Sequence, residues 1–197
     1  MGNSTAYPVL RTTDAAEAYA WGERLRALLA HCEDEVGLGA ELLTAADVRR
    51  TAEVLPGARF HYVDARTGPT GEYLRFELDP RTADDAALEP HLPLDVTVDV
   101  PTGSVEERFA AAVGRGRGTA AVDWRGRWPD DPETGSVGSP KYDGVQIVFH
   151  GDSAQWGAWA AHHTVFVHAG KFGDERRARE LAEAVGGEVL GEPQLGW

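Results

Sequence analysis

Histidine and aspartate side chains near the C-terminal end of the chain are the first candidates for chemistry. His150 and Asp152 follow one run of β-forming residues, and His162 and His168 lie at the two ends of the next. Imidazole and carboxylate groups bind zinc or iron, and imidazole also exchanges protons near neutral pH. If adjacent strands bring these groups together, we expect His150, Asp152 and His168 to be catalytic. His150, His162 and His168 are then the candidate metal ligands.

The same histidine pattern has a second explanation. Histidines at a sheet surface, or histidines with satisfied hydrogen bonds in the core, would produce it as well. The chain contains no HExxH or HxH motif, so the spacing is not specific for a metal. The sequence therefore leaves the cofactor unknown.

A basic cluster in the middle of the chain combines arginines with tryptophans. Arginine and tryptophan side chains stack on bases and hold phosphate groups, which makes this cluster a candidate ligand site. The alternative is a loop whose arginines pair with the many carboxylates of the chain. Gly114-Arg-Gly-Arg-Gly118 follows a predicted helix rather than a strand, so it is not a dinucleotide-binding motif. The candidate ligand-binding residues are Arg115, Arg117, Trp124, Trp128 and Trp156.

The elements that would position the histidines follow from β-branched and aromatic runs. Residues 144–150 and 163–168 are predicted strands. Asp174 is a favourable N-cap for a helix that ends at a pair of glycines, and residues 188–190 are long enough for a short strand. A strand, helix and strand joined so closely predict a crossover onto one sheet.

The rest of the chain divides into helical and strand-forming parts. Two helices, at residues 14–32 and 44–55, are joined by a glycine-containing loop. Residues 59–64 and 72–78 flank a turn and predict a β-hairpin. A strand at 94–100, a helix from 104 and a strand at 119–124 follow.

These elements predict an α+β fold. We expect an N-terminal helical hairpin plus an antiparallel or mixed sheet with helices on one face. Residues 72–124 and 144–190 share the order strand, strand, helix, strand, which suggests two ferredoxin-like ββαβ units. We expect one domain over 1–197, made of a helical part (1–58), a first unit (59–124), a surface loop (125–143) and a second unit (144–197).

The charge of the chain limits the classes of partner. The net charge is −13, and residues 1–58, 59–103 and 104–197 carry −4, −5 and −4 of it. Acidity spread in this way disfavours nucleic acid and anionic membranes and suits a basic protein. The chain has no run of ~18 apolar residues and no signal-peptide pattern, so a cytoplasmic location is expected. The single Cys32 excludes an internal disulfide.

Two functions from different classes agree with the sequence. The first is an acidic cytoplasmic binding protein that engages a basic protein partner, as neutralising immunity proteins do. Segments 33–35, 79–89 and 128–133 would supply its carboxylates, and tryptophans would anchor the partner. The second is a small metabolic enzyme or ligand-binding domain that uses the His/Asp cluster on an anionic small molecule. The sequence leaves the oligomeric state open.

Overall fold

A computed structural model describes residues 3–133 and 135–197. Its described residues form nine strands and five α-helices, with a 3₁₀ turn at Glu89–His91. The strands are β1 (Thr5–Thr12), β2 (His31–Cys32), β3 (Glu35–Leu42), β4 (Phe60–Tyr62), β5 (Leu94–Pro101), β6 (Ala120–Arg127), β7 (Asp143–Phe149), β8 (His163–His168) and β9 (Gln194–Leu195). The helices are α1 (Ala15–Arg26), α2 (Ala45–Val54), α3 (Asp85–Leu88), α4 (Glu106–Val113) and α5 (Glu175–Ala184).

The strands form one open sheet in the order β4-β5-β3-β6-β7-β8-β1-β9, with β2 paired to the end of β6. Every pairing is antiparallel. The centre of the sheet is long and regular, since β3 pairs with β5 over its whole length and β6 pairs with β7 over seven residues. This central region fixes the register of the side chains on both faces.

The helices pack on one face of the sheet. One large core contains the inward residues of the central strands, such as Leu38, Val122 and Ile147, together with Leu25 of α1 and Phe109 of α4. The opposite face has a much smaller apolar cluster that no helix joins; its members are Ala6, Val148, Ala154 and Phe166. We call this opposite side the helix-free face.

The helices begin where the sequence supplies a capping side chain. Asp14 accepts hydrogen bonds from the backbone of Ala16 and Glu17, and Asp174 accepts one from Arg177. Such caps satisfy backbone N–H groups that have no partner within the helix. The predicted starts of α1 and α5 are therefore confirmed at their caps.

The N-terminal helical hairpin is wrong. The described chain begins with a strand, and the segment predicted as the loop of the hairpin is β3. Val36, Leu38, Ala40 and Leu42 alternate toward the core, but Gly37 and Gly39 occupy the intervening positions and hide the two-residue period. The α+β class and the antiparallel sheet with helices on one face are as predicted.

The predicted hairpin of residues 59–64 and 72–78 is formed only in part. β4 has three residues, and in the described structure residues 72–78 contribute only an isolated bridge between Thr67 and Tyr73. The first ββαβ unit therefore lacks its leading strand.

Residues 188–190 do not form the predicted strand, and β9 lies later, at Gln194 and Leu195. The predicted bounds of four other strands, β5, β6, β7 and β8, agree with the structure to within a few residues.

Two of the helical connections cross over a neighbouring strand. α4 joins β5 to β6, which lie on either side of β3, and α5 joins β8 to β9, which lie on either side of β1. In each of these two connections, the strand before the helix and the strand after it are parallel to one another, because both are antiparallel to the strand between them. This arrangement brings residues from distant parts of the sequence side by side on the sheet.

No helix in the described parts of the chain is long and apolar enough to cross a membrane.

Candidate functional site

The helix-free face of β4, β5, β3 and β6 carries carboxylates where the opposite face carries core residues. Alternation along each strand places Leu94 and Val96 in the core, and Asp95 and Asp99 on the helix-free side. The same rule applies to β3 and β6. The carboxylates on or beside this surface, which we call the acidic face, are Glu33, Glu35, Glu41, Asp95, Asp99 and Asp123.

A cleft of about 320 Å³ lies in the acidic face. Its floor is the backbone of β3 at Gly37 and Gly39, where the strand has no side chain to fill the space. The remaining lining residues are Glu33, Glu35, Leu38, Thr97, Asp99, Asp123, Arg125 and Trp156. Four carboxylates and one guanidinium thus surround the cleft in the described structure, so acidic side chains outnumber basic ones in its lining.

Asp123 is the most unusual side chain of the cleft. Its Oδ1 atom is buried and has no hydrogen-bond partner among the described residues. Burial raises the pKa of Asp123 from 3.8 to about 7, and nearby Asp99 adds to the rise, while Gln146 and the charge of Arg125 oppose it. A buried carboxylate oxygen without a partner is costly.

Trp156 forms one wall of the cleft. Its indole lies directly on the backbone of β3, so a Cβ added at Gly39 would fall 1.7 Å from Cη2 of the ring. Trp156 also has a left-handed backbone, with φ of 61°, which is uncommon for a residue with a large side chain. The segment after β7 therefore turns back over the sheet and places an aromatic ring beside the carboxylates.

The other half of the helix-free face is covered by the C-terminal residues. Trp197 stacks on the imidazole of His168 with ring centroids 3.5 Å apart, and the guanidinium of Arg125 lies 5.6 Å from the Trp197 ring. Gln155 donates hydrogen bonds to the carbonyls of Leu195 and Gly196. This cover ends at Arg125. Beyond β6, Trp156 lies over Gly39, while Glu33, Glu35 and Asp99 are exposed.

His168, predicted to be catalytic, lies beneath this cover. Its Nδ1 lies 2.8 Å from the Ser4 hydroxyl and its Nε2 lies 3.3 Å from Oε1 of Gln146. Burial, together with the charge of Arg125, lowers the pKa of His168 to about 3. His168 is therefore a neutral, hydrogen-bonded imidazole inside the protein at physiological pH.

The other predicted histidines lie at the opposite end of β8. Nε2 of His162 lies 3.4 Å from Oδ1 of Asp152, and Arg11 donates to the same oxygen at 2.7 Å. Burial opposes the ionisation of Asp152, but the hydrogen bond and charge of Arg11 outweigh it and lower its pKa. The backbone N–H of His150 donates to Nδ1 of His163 at 3.0 Å.

These positions separate the members of the predicted catalytic and metal sets. His163 and His168 are five residue steps apart, a distance of ~16 Å along β8. The structure therefore brings His162 and Asp152 together, with His150 nearby, but places His168 apart from them. The described residues contain no group of three or more His, Cys, Asp or Glu side chains that could hold a metal ion.

The predicted arginine and tryptophan cluster is also divided. Trp124 and Trp128 are fully buried in the core on the helical side, and the Trp128 indole donates to the His168 carbonyl at 2.7 Å. Arg115 and Arg117 are exposed in the loop after α4. Trp156 alone of this set lines the acidic cleft. The period-two pattern of β6 places Trp124 inward, but Trp128 lies beyond the strand.

A larger cleft of about 700 Å³ lies between α2, β4 and residues 75–81. Its charged side chains are exposed, and Arg81 there already pairs with Asp79 at 3.2 Å. None of the buried polar atoms that lack a partner in the described structure belongs to its lining. We therefore take the smaller acidic cleft as the candidate site.

Sequence reasoning found part of this site. Residues 33–35 were predicted to supply carboxylates to a partner, and Glu33 and Glu35 do line the cleft. Asp99 and Asp123 were not singled out as binding residues. The alternation of residues 94–100 was used only to predict a strand, although it also places Asp95 and Asp99 on one face.

Comparisons of this chain with protein-family models, curated proteins and solved structures gave no match.

Proposed function

We propose that this chain is a binding protein that holds a basic segment of a partner protein on the acidic face, in the manner of a neutralising or immunity protein. The observation that carries the proposal is the open, helix-free surface of β5, β3 and β6 with its carboxylates. A central region of a sheet is ordinarily covered, and this one has side chains that repel a second acidic layer. A cationic surface is its natural complement.

Charge on this face supports the proposal more than the net charge does. Glu35 and Asp99 are exposed and are positioned by two fully paired strands, so they need little ordering when a partner binds. Asp123, whose Oδ1 atom is buried without a hydrogen-bond partner in the described structure, lies in the wall of the same cleft. Trp156 supplies an aromatic group of the kind that anchors interfaces.

The experiment is an affinity capture from the cells that make this protein, with three forms of the chain. The first is the wild type, the second is Glu35→Lys with Asp99→Lys, and the third is Glu183→Lys with Glu188→Lys. The third form has the same charge change on exposed residues on the helical side of the sheet. We expect the wild type and the third form to retain the same basic protein, and the second form to lose it.

The association rate of the captured partner gives the second measure. It should fall steeply with added salt for the wild type and for the helical-side variant, because opposite charges steer the two proteins together. Equal retention of the partner by all three forms would show that the acidic face is not the contact surface. A salt-independent association rate would argue against electrostatic recognition.

A small enzyme or ligand-binding domain is the second candidate, and one observation favours it. His162, Asp152 and Arg11 lie together at one end of the sheet. The loop carrying Arg115 lies close by, since Nε2 of His150 is 3.2 Å from the Gly114 carbonyl. An anionic small molecule held by these side chains would be detected by calorimetry and would be lost in Arg11→Gln.

A further inference from the structure

We propose that the cleft in the acidic face is a receptor for a single arginine side chain of the partner, stacked on Trp156 and paired with Asp123 and Asp99. This inference rests on the proposed function, because it names the group that the acidic face would recognise. It goes further than that function because it names the side chain that enters the cleft, the groups that this side chain contacts and its chemical class.

The first argument is the polar lining of the cleft. Oδ1 of Asp123 is buried and lacks a hydrogen-bond partner in the described structure, and this atom belongs to a residue of the cleft wall. Asp99 lines the same cleft on the neighbouring side of β3, which separates β5 from β6. A guanidinium carries five N–H donors in a planar fork, so it can serve two carboxylates at once.

The second argument is the aromatic wall. Trp156 is held against Gly39, so its ring is fixed before any ligand arrives. Arginine stacks on tryptophan through its flat, weakly hydrated guanidinium, and this contact is favourable within ~6 Å of the ring. Lysine offers a compact, strongly hydrated charge and gains less from such a wall.

The third argument is the size of the cleft. Its volume of about 320 Å³ equals the space of about ten water molecules at ~30 Å³ each. A bare cation would leave most of this space to water, whereas an arginine head group with its methylene stem occupies much more of it. The described residues also contain no group of carboxylates that could hold a metal ion. Both facts favour an organic cation.

Arg125 determines which end of the cleft can accept the guanidinium of the partner. Its guanidinium lies toward Trp197, at 5.6 Å from that ring, and so borders the cleft on the covered side. It repels a second guanidinium from that end. The register of β3 and β6 also places Glu35 beside Arg125, and the Glu33 N–H donates to the Arg125 carbonyl at 2.9 Å. The incoming arginine is therefore directed to the other end of the cleft, where Trp156 lies over Gly39 and where Asp99 and Asp123 lie on either side of Gly37.

The test uses the whole protein and a defined probe, an acetylated and amidated five-residue peptide with one arginine between serine and glycine residues. Matched peptides carry lysine or uncharged citrulline at the same position. Calorimetry should give a dissociation constant on the order of 1 mM for the arginine peptide. The lysine peptide should bind several-fold more weakly, and the citrulline peptide should not bind measurably.

Two variants of the protein locate the binding. Asp123→Asn keeps the shape of the side chain and should weaken the arginine peptide by about tenfold, as the loss of a charged hydrogen bond does. Trp156→Leu should weaken it and narrow the difference between arginine and lysine. Glu183→Gln removes one exposed charge on α5 and should leave the affinity unchanged. Circular dichroism of each variant shows whether the fold is retained.

The outcomes separate this inference from the function on which it rests. Equal binding of the arginine and citrulline peptides, or unchanged binding by Asp123→Asn, would overturn the arginine receptor. If the partner still needs Glu35 and Asp99 but is indifferent to Asp123→Asn, the acidic face is correct and the arginine anchor is wrong. If the peptide binds as expected but no partner depends on Glu35 and Asp99, the proposed function fails while the cleft remains an arginine site.

Discussion

At the scale of single residues, burial shifts the pKa values of two ionisable side chains on the helix-free face in opposite directions. His168 has two hydrogen-bond partners, the hydroxyl of Ser4 and the amide of Gln146, and remains neutral because burial lowers its pKa to about 3. Asp123 has an oxygen without a hydrogen-bond partner among the described residues, and burial raises its pKa to about 7. The hydrogen bonds of His168 are therefore formed within the protein, whereas one oxygen of Asp123 has none from the described residues.

Asp123 makes the stability of the protein depend on pH in a direction that can be predicted. Its pKa rises from 3.8 to about 7 on folding, so the folded state holds the proton more tightly than the unfolded state does. The stability should therefore fall as the pH rises between these two values, by an amount on the order of a few kcal/mol. Urea unfolding of the wild type and of Asp123→Asn, from about pH 4.5 to about pH 8, measures this effect.

The difference between the two proteins is the quantity of interest, because all other groups titrate in both. Asp123→Asn should become more stable relative to the wild type as the pH rises, since asparagine has no buried charge to gain. If the difference stays constant over this range, Asp123 does not have a raised pKa in the folded protein.

At the scale of elements, strand β3 decides whether the cleft exists. Gly37 leaves its surface bare between Asp99 and Asp123, and Gly39 leaves room for the indole of Trp156. The two-residue period of β3 was missed from the sequence because these glycines interrupt it. In contrast, β5 and β8 were predicted well, since their alternating or β-branched residues have no such gap. Gly37 and Gly39, which made the strand difficult to recognise in the sequence, are also the residues that make room for the cleft and for Trp156. Such departures from local sequence rules are common at functional sites.

Replacement of Gly39 by alanine tests this role of β3. The new Cβ would fall 1.7 Å from Cη2 of Trp156, so the ring must leave its position. Gly39→Ala should weaken the arginine peptide by several-fold, and the emission of Trp156 should shift toward that of an exposed indole. Gly57→Ala is the matched control, because a Cβ there meets nothing within 4 Å. If Gly39→Ala binds the peptide as tightly as the wild type does, Trp156 is not part of the binding site.

At the scale of the whole molecule, the fold brings together carboxylates that lie far apart in the sequence. The three segments 1–58, 59–103 and 104–197 carry similar net charges of −4, −5 and −4. The strand order β5-β3-β6 places Asp99, Glu35 and Asp123, one from each segment, around a single cleft. The sequence could predict an acidic protein and a basic partner, but the shared face depends on pairings between distant strands. The same pairings separate His150 from His168, which no spacing along the chain revealed.

Carboxyl footprinting of the protein, with and without the partner captured by the wild type, tests the central claim most directly. Carbodiimide coupling of a small amine labels exposed carboxylates, and mass spectrometry reads the extent at each residue. We expect Glu33, Glu35 and Asp99 to lose most of their labelling when the partner binds, while Glu183 and Glu188 keep theirs. Protection of Glu183 and Glu188 with full labelling of Glu35 and Asp99 would place the partner on the helical side and contradict the account.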